Sequence, residues 1–538
     1  MELNQILLWI VGLSCAAILL RGAQLIAGGA MGWLIICIFI LAVMGITWLI
    51  HPEYAGLIGG GLWLVLILLP ALAATWSRRL IECQRFDTAA MVAGWVRLLH
   101  PFDGYWHSPR LLRAQFLVEQ GEIEEALKLY DTLRHRPGLI GHAANSGALR
   151  ARRQWAELTH WVENDLPKIT LQRDVTLFVA YLRALGETGQ VEQMLKVFAV
   201  QPRLLHQPAL ASARNMARLF VFAFSGEPHR AESVLYGGAL SAIPDGIKQF
   251  WIATAEQTAG NFPAATERLD RLLLTASKSL RDAAIDRKLR PLAANLMASD
   301  ELSRQQIEQA DRDHRHELLY VRAAPGSRRL PVITLILIFL NVIAFGVEVA
   351  RGGATNWVVL YQMGAAQSVS IRAGEWWRLL SANFLHLGWV HLFMNMLGLL
   401  ALGPFVERSF GRIRYTVLYL LSGIIGIGFV IVRSWQGANQ FEILVGASAA
   451  VMGLVGATGA ILLCGWLRDR ARSAARRLRG VGFIVAFQIF FDSQNPQVSG
   501  KAHLAGCAAG FLLALPYCVL SRRKRAVTSQ LGVLKTAV

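Results

Sequence analysis

Apolar runs long enough to cross a lipid bilayer crowd both ends of this chain, and most of its charge lies between them. A hydrocarbon core of about 30 Å needs about 20 helical residues, because backbone amides left unpaired in lipid are costly. Three such runs open the sequence, at 6–26, 32–50 and 55–76, the first interrupted by Arg21. Six close it, at 330–350, 387–405, 415–434, 446–466, 481–491 and 502–520. The run at 481–491 is short, so a helix there would tilt or end below the membrane surface. The overall 54% hydrophobic and 17% charged composition is therefore the sum of two kinds of segment.

A net charge of +18 could signal nucleic acid, but the placement of the arginines argues against that partner. They cluster beside apolar runs, at Arg78 and Arg79, Arg328 and Arg329, 408–414, 468–479 and 522–525. Basic residues hold such flanks on the cytoplasmic side and attract anionic lipid headgroups. Nine spans and these clusters agree on one orientation, with residues 78–327 and the tail from 523 in the cytoplasm. The six cysteines form no CxxC pair, and five lie in apolar segments, where they read as small fillers. Residues 1–5 contain an acid and no base, unlike the start of a cleaved signal peptide.

The middle region, 78–327, reads as a soluble helical domain with a faint repeat. Gly121, Gly189, Gly226 and Gly260 are separated by 68, 37 and 34 residues. Ala126, Ala231 and Ala265 each follow their glycine by five positions; Met194 takes that place in the second unit. A unit near Arg153 lacks the glycine. A period near 34 with glycine in the turn resembles the tetratricopeptide repeat, a helix pair that stacks into a solenoid and offers a concave protein-binding surface.

Four motifs in the C-terminal spans carry chemistry, because polar groups in a spanning helix are costly and usually functional. Gly446-Ala447-Ser448 puts a serine at the end of a span rich in glycine and alanine. Ala502-His503 opens the last span, with Gly506 and Gly510 on nearly the same stripe as His503. The expected topology sets Ser448 and His503 at one depth, where an imidazole can take the serine proton. His391 and Asn395, four apart on one helical face, offer neutral donors suited to an oxyanion hole. His386 lies five residues before His391, and no third ligand or HExxH accompanies the pair, so a metal site is not expected. Finally, Trp376-Trp377-Arg378 suits a structured loop at the membrane–water interface.

Taken together, the tryptophan–arginine loop, HxxxxHxxxN, GxS and AHxxGxxxG resemble the rhomboid family of intramembrane serine proteases. The resemblance covers about 330–520. It implies a six-helix core in an all-α polytopic membrane protein, with a Ser–His dyad, no third acid and no cofactor. By position, Ser448 would be the nucleophile and His503 the base. His391 and Asn395, with backbone N–H groups of Ser448 and Ala447, would form the oxyanion hole. Arg378, His386, Glu407, Gly446, Gly506 and Gly510 would support the site. Two departures stand out: Ala449 where the family usually has glycine, and Met452 where it often has an aromatic residue. The expected domains are N-terminal spans (1–77), a cytoplasmic repeat region (78–327), a protease core (328–522) and a basic tail (523–538). The expected setting is a bacterial inner membrane, with the site opening outward onto transmembrane substrates and the repeat region holding a protein partner. A catalytically silent scaffold that binds membrane helices is the rival reading.

Overall fold

The computed structural model describes residues 3–20, 22, 31–101, 103, 106–294, 301–320, 330–435, 443–495 and 499–535. It is all-α apart from one two-residue strand pair. Among the described residues, seven helices are long and apolar enough to cross a membrane. Two expected spans differ. The first forms a shorter helix, Leu3–Leu19, consistent with the break at Arg21. The run at 481–491 lies inside the 23-residue helix Arg472–Gln494, which opens on Arg472, Arg476, Arg477 and Arg479. The Arg328–Arg329 flank lies outside the described residues.

The described residues divide into two compact units, one reaching to His314 and one starting at Arg315. In the first, Asn4 Oδ1 accepts from the amides of Gly56 (2.7 Å) and Leu57 (3.2 Å), capping the helix that starts at Ala55. That helix runs through a π-helical stretch, Leu64–Leu68, into Leu69–Glu82. A buried His100–Asp103 pair ties this bundle together. His100 Nδ1 lies 2.8 Å from Asp103 Oδ2, and its Nε2 lies 2.9 Å from the Leu66 carbonyl in the π-helical stretch. Asp103 Oδ1 in turn accepts from Gly32 N at 2.7 Å.

Leu69–Glu82 is also the first arm of a helical hairpin with Phe86–Leu99, so a single helix carries both the end of the third apolar run and the start of the middle region. Further hairpins follow: Ser108–Gln120 with Ile123–Arg134, Val175–Glu187 with Val191–Ala199, Ala211–Phe224 with Pro228–Tyr236, and Asp245–Thr258 with Phe262–Thr275. Their turns place Gly121, Gly189, Gly226 and Gly260 at positive φ, the left-handed cap that ends a helix and frees the chain to reverse. Arg153 and Gln84 adopt the same conformation without being glycine. Ala126, Met194, Ala231 and Ala265 are fully buried where paired helices meet. The helix Lys278–Leu289 reaches back to earlier hairpins: the Lys278 side chain crosses Gly121, and Arg287 pairs with Glu187 at 2.6 Å.

The second unit is built on six long helices: Val332–Ala350, Trp389–Phe410, Arg412–Ser434, Ser448–Asp469, Arg472–Gln494 and Gly500–Lys535. They are called core helices one to six below. Core helix four is the hub, with 14 buried residues, among them Gly453, Gly456, Gly459 and Gly465. Between core helices one and two, the chain forms a folded loop. Its strand β1 (Ala366–Gln367) pairs antiparallel with β2 (Ile443–Leu444), just before core helix four.

Candidate active site

Close backbone packing sets the site. Core helices four and six meet through glycine: a Cβ on Gly506 would fall 2.2 Å from the Ala449 carbonyl oxygen, and one on Gly510 would fall 2.0 Å from that of Gly453. From the other side, a Cβ on Gly456 would meet the Cys507 carbonyl at 1.9 Å. Only hydrogen fits at these three points, so the helix axes come closer than any side chain would allow. Ser448 begins core helix four, and His503 lies in the first turn of core helix six. The contact brings Ser448 Oγ to 2.8 Å from His503 Nε2, across 55 residues of chain. Ser448 is half-buried and His503 is buried.

The other nitrogen of His503 is also held. Nδ1 lies 2.9 Å from Asp492 Oδ2, near the end of core helix five. Gln488, one turn earlier, donates from Nε2 to Asp492 Oδ1 at 2.8 Å. Gly500 leaves room for this approach, since a Cβ there would sit 3.0 Å from Asp492 Cβ. The sequence reading missed both Asp492 and Gln488. The available signal was an acid at the edge of an apolar run, a position where a charge is expensive unless partnered.

On the opposite side of Ser448 stand the groups of core helix two. Gly446 has φ of +124°, and a Cβ on it would meet His391 Nε2 at 2.7 Å and Ser448 Oγ at 3.6 Å. The imidazole therefore packs against the bare Gly446 backbone beside the serine. Asn395, one turn along, is buried, and among the described residues its Nδ2 has no acceptor. The first amides of core helix four have no carbonyl one turn back within the helix, so Ser448 and Ala449 N–H add to a cluster of donors at a helix N-terminus. Gly446 N itself is fixed to the Ala382 carbonyl at 2.9 Å, and Ala447 is fully buried.

The remaining expected residues hold the frame. The Arg378 guanidinium is buried, pairs with Glu375, and donates to the Tyr361 (2.6 Å) and Ala365 (3.2 Å) carbonyls from within the loop. His386 N donates to Glu348 Oε1 at 3.0 Å, and the His386 and His391 rings meet edge to face at 5.2 Å. Glu407 caps core helix one, accepting from Ile333 N (3.0 Å), Thr334 N (2.9 Å) and Thr334 Oγ1 (2.8 Å). The Ala449 methyl faces core helix three, where a Cβ on Gly426 would lie only 2.8 Å from it. Gly426 thus provides the space that Ala449 takes up. Among the described residues, no three His, Cys, Asp or Glu side chains converge as metal ligands would.

Spanning helices and a serine–histidine pair between two of them define the class: a polytopic, all-α membrane protein. The family model for the rhomboid domain matches residues 373–520. Rhomboid protease GluP of Bacillus subtilis (strain 168) is 32% identical over 193 residues, 36% of this chain and 36% of GluP. The rhomboid relative YdcA of the same strain is 31% identical over 206 residues, 37% of this chain and 94% of YdcA. RHOMBOID-like protein 4 of Arabidopsis thaliana is 40% identical over 145 residues, 27% of this chain and 34% of that protein. The chain thus spans about a third of GluP and nearly all of YdcA. No solved structure matches it. The chain belongs to the rhomboid family.

Proposed function

We propose that this protein is an intramembrane serine endopeptidase that cleaves transmembrane segments of other membrane proteins near the outer face of the membrane. The observation that carries this reading is the 2.8 Å contact between Ser448 Oγ and His503 Nε2. In that geometry Ser448 attacks the scissile carbonyl while His503 takes its proton and later passes it to the leaving amine. The developing oxyanion meets the amides at the start of core helix four, the unpaired Asn395 Nδ2 and the His391 imidazole. Water then releases the acyl-enzyme. The substrate helix enters laterally between core helices two and five and unwinds at the half-buried serine.

The rest of the chain serves this core. The stacked hairpins of the first unit act as a tetratricopeptide-like platform for a protein partner in the cytoplasm, and the arginine clusters face anionic lipid in a bacterial inner membrane. The test is cleavage of a reporter transmembrane helix in vesicles. Ser448→Ala is expected to lower cleavage by about 10⁴-fold or more, given the loss of the nucleophile, while melting in detergent stays unchanged. Cleavage that persists in this variant rejects Ser448 as the nucleophile, and absence of cleavage in the parent protein leaves a helix-binding scaffold.

A further inference from the structure

We propose that Asp492 is a positioning residue that completes a Ser448–His503–Asp492 triad, an inference that rests on the protease reading above. The three side chains line up in sequence: Ser448 Oγ to His503 Nε2 at 2.8 Å, then His503 Nδ1 to Asp492 Oδ2 at 2.9 Å. Both partners of the second contact are withdrawn from solvent, with side-chain exposures of 6% for His503 and 7% for Asp492. A buried carboxylate is costly unless its oxygens are satisfied. Here both are, Oδ1 by Gln488 Nε2 at 2.8 Å and Oδ2 by the imidazole.

The arrangement selects the tautomer. A carboxylate only accepts, so the hydrogen on the neutral ring sits on Nδ1 and the lone pair on Nε2 faces the serine. Gln488 Nε2 also lies 3.2 Å from His503 Nδ1. Two N–H groups facing each other gain nothing, so Gln488 serves Asp492. When Ser448 attacks, its proton moves to Nε2, and the ring becomes an imidazolium held between Oγ and the carboxylate. Asp492 keeps its charge throughout and takes up no proton. Three separate helices supply the three residues: core helix four the serine, six the histidine and five the acid. The acid is thus independent of the glycine contact that joins the other two.

The substitution Asp492→Asn tests this. With Gln488 donating to the Oδ1 position, the asparagine amide turns its NH₂ toward Nδ1, which then must accept. The hydrogen moves to Nε2, and the ring can no longer take the serine proton. The readout is the rate at which a fluorophosphonate labels Ser448 in the full-length protein, alongside kcat and KM for reporter cleavage. For Asp492→Asn, labelling and kcat are expected to fall by at least about 10²-fold, as tautomer reversal does in a triad, with KM and melting temperature nearly unchanged. Asp492→Ala, which imposes no tautomer, is expected to label faster than Asp492→Asn, and Asp492→Glu fastest of the three. Labelling of Asp492→Asn within threefold of the parent, with Ser448→Ala unlabelled, overturns the triad and leaves the dyad intact. Equal losses in the asparagine and alanine variants with lowered melting temperatures also overturn it, making Asp492 structural. Absence of Ser448-dependent labelling in the parent overturns both readings together.

Discussion

Two histidine–aspartate pairs, one in each unit, use nearly the same geometry for opposite ends. His100 Nδ1 meets Asp103 at 2.8 Å, and His503 Nδ1 meets Asp492 at 2.9 Å; both pairs are buried. They differ in what faces the second nitrogen. For His100 it is the Leu66 carbonyl at 2.9 Å, which can only accept. Both nitrogens of His100 therefore face acceptors, no hydroxyl stands opposite either, and the residue works as a clamp. For His503 it is the Ser448 hydroxyl at 2.8 Å, which has a proton to give. The atom opposite Nε2, rather than the aspartate, separates a structural pair from one able to act as a base.

The pairs also differ in how they are assembled. His100 and Asp103 are one helical turn apart in sequence, so local geometry nearly suffices. His503 and Ser448 meet only because Gly506 lets two backbones touch. Gly506→Ala should therefore break the second arrangement and spare the first. Its Cβ would sit 2.2 Å from the Ala449 carbonyl, forcing the helices apart. A misplacement of about 1 Å in a reacting pair can cost about 10²-fold, and a loss of that size is expected in fluorophosphonate labelling. Gly459→Ala is the control, since a Cβ there meets only Val481 and Phe511, at 3.6 and 3.8 Å. A Gly506→Ala protein labelled at the parent rate would mean that close helix packing does not set the Ser–His distance.

Asp103→Ala asks the converse question. It leaves His100 Nδ1 and the Gly32 amide without their acceptor inside the first unit. A buried donor left unpaired costs about 1–3 kcal/mol, so a loss of about 2 kcal/mol in unfolding free energy is expected by thermal melting. Labelling of Ser448 should stay within threefold of the parent, because every residue of the candidate site belongs to the second unit. A large drop in labelling would show that the clamp supports the reacting pair as well.

How far these two regions could be read from the sequence follows from the same contrast. Ser448 and His503 were legible because each sits in a run of small residues whose only physical use is close helix packing. Arg378 was legible as part of an interfacial tryptophan–arginine loop, and Glu407 only through the family resemblance. Asp492 was not, because the expected span ended at Phe491 and nothing in the sequence brings residue 492 to the imidazole of residue 503. In the first unit the glycine turns were legible, since glycine takes positive φ freely. Arg153 and Gln84 take the same conformation at a cost that only the surrounding packing can offset; Gln84 carried no signal, and Arg153 stood out only as the place where a repeat unit lacks its glycine. The π-helical stretch at Leu64–Leu68 was equally silent: its Leu66 carbonyl matters only once His100 is found 2.9 Å from it.

The smallest expected effect concerns one of the two departures from the family pattern, Ala449 beside the proposed nucleophile. Were its methyl in the pocket, removing it would change the reaction with substrate directly. Its methyl instead fills the space left by Gly426, and the residue is 1% exposed. Ala449→Gly should therefore act as a packing change, costing about 1 kcal/mol through lost burial and helix propensity. The labelling rate should move by less than threefold, because the backbone amide and carbonyl that face the site and Gly506 remain. A tenfold or greater rise in labelling would place the methyl in the path of the reagent, and would make position 449 the point at which this chain restrains its own serine.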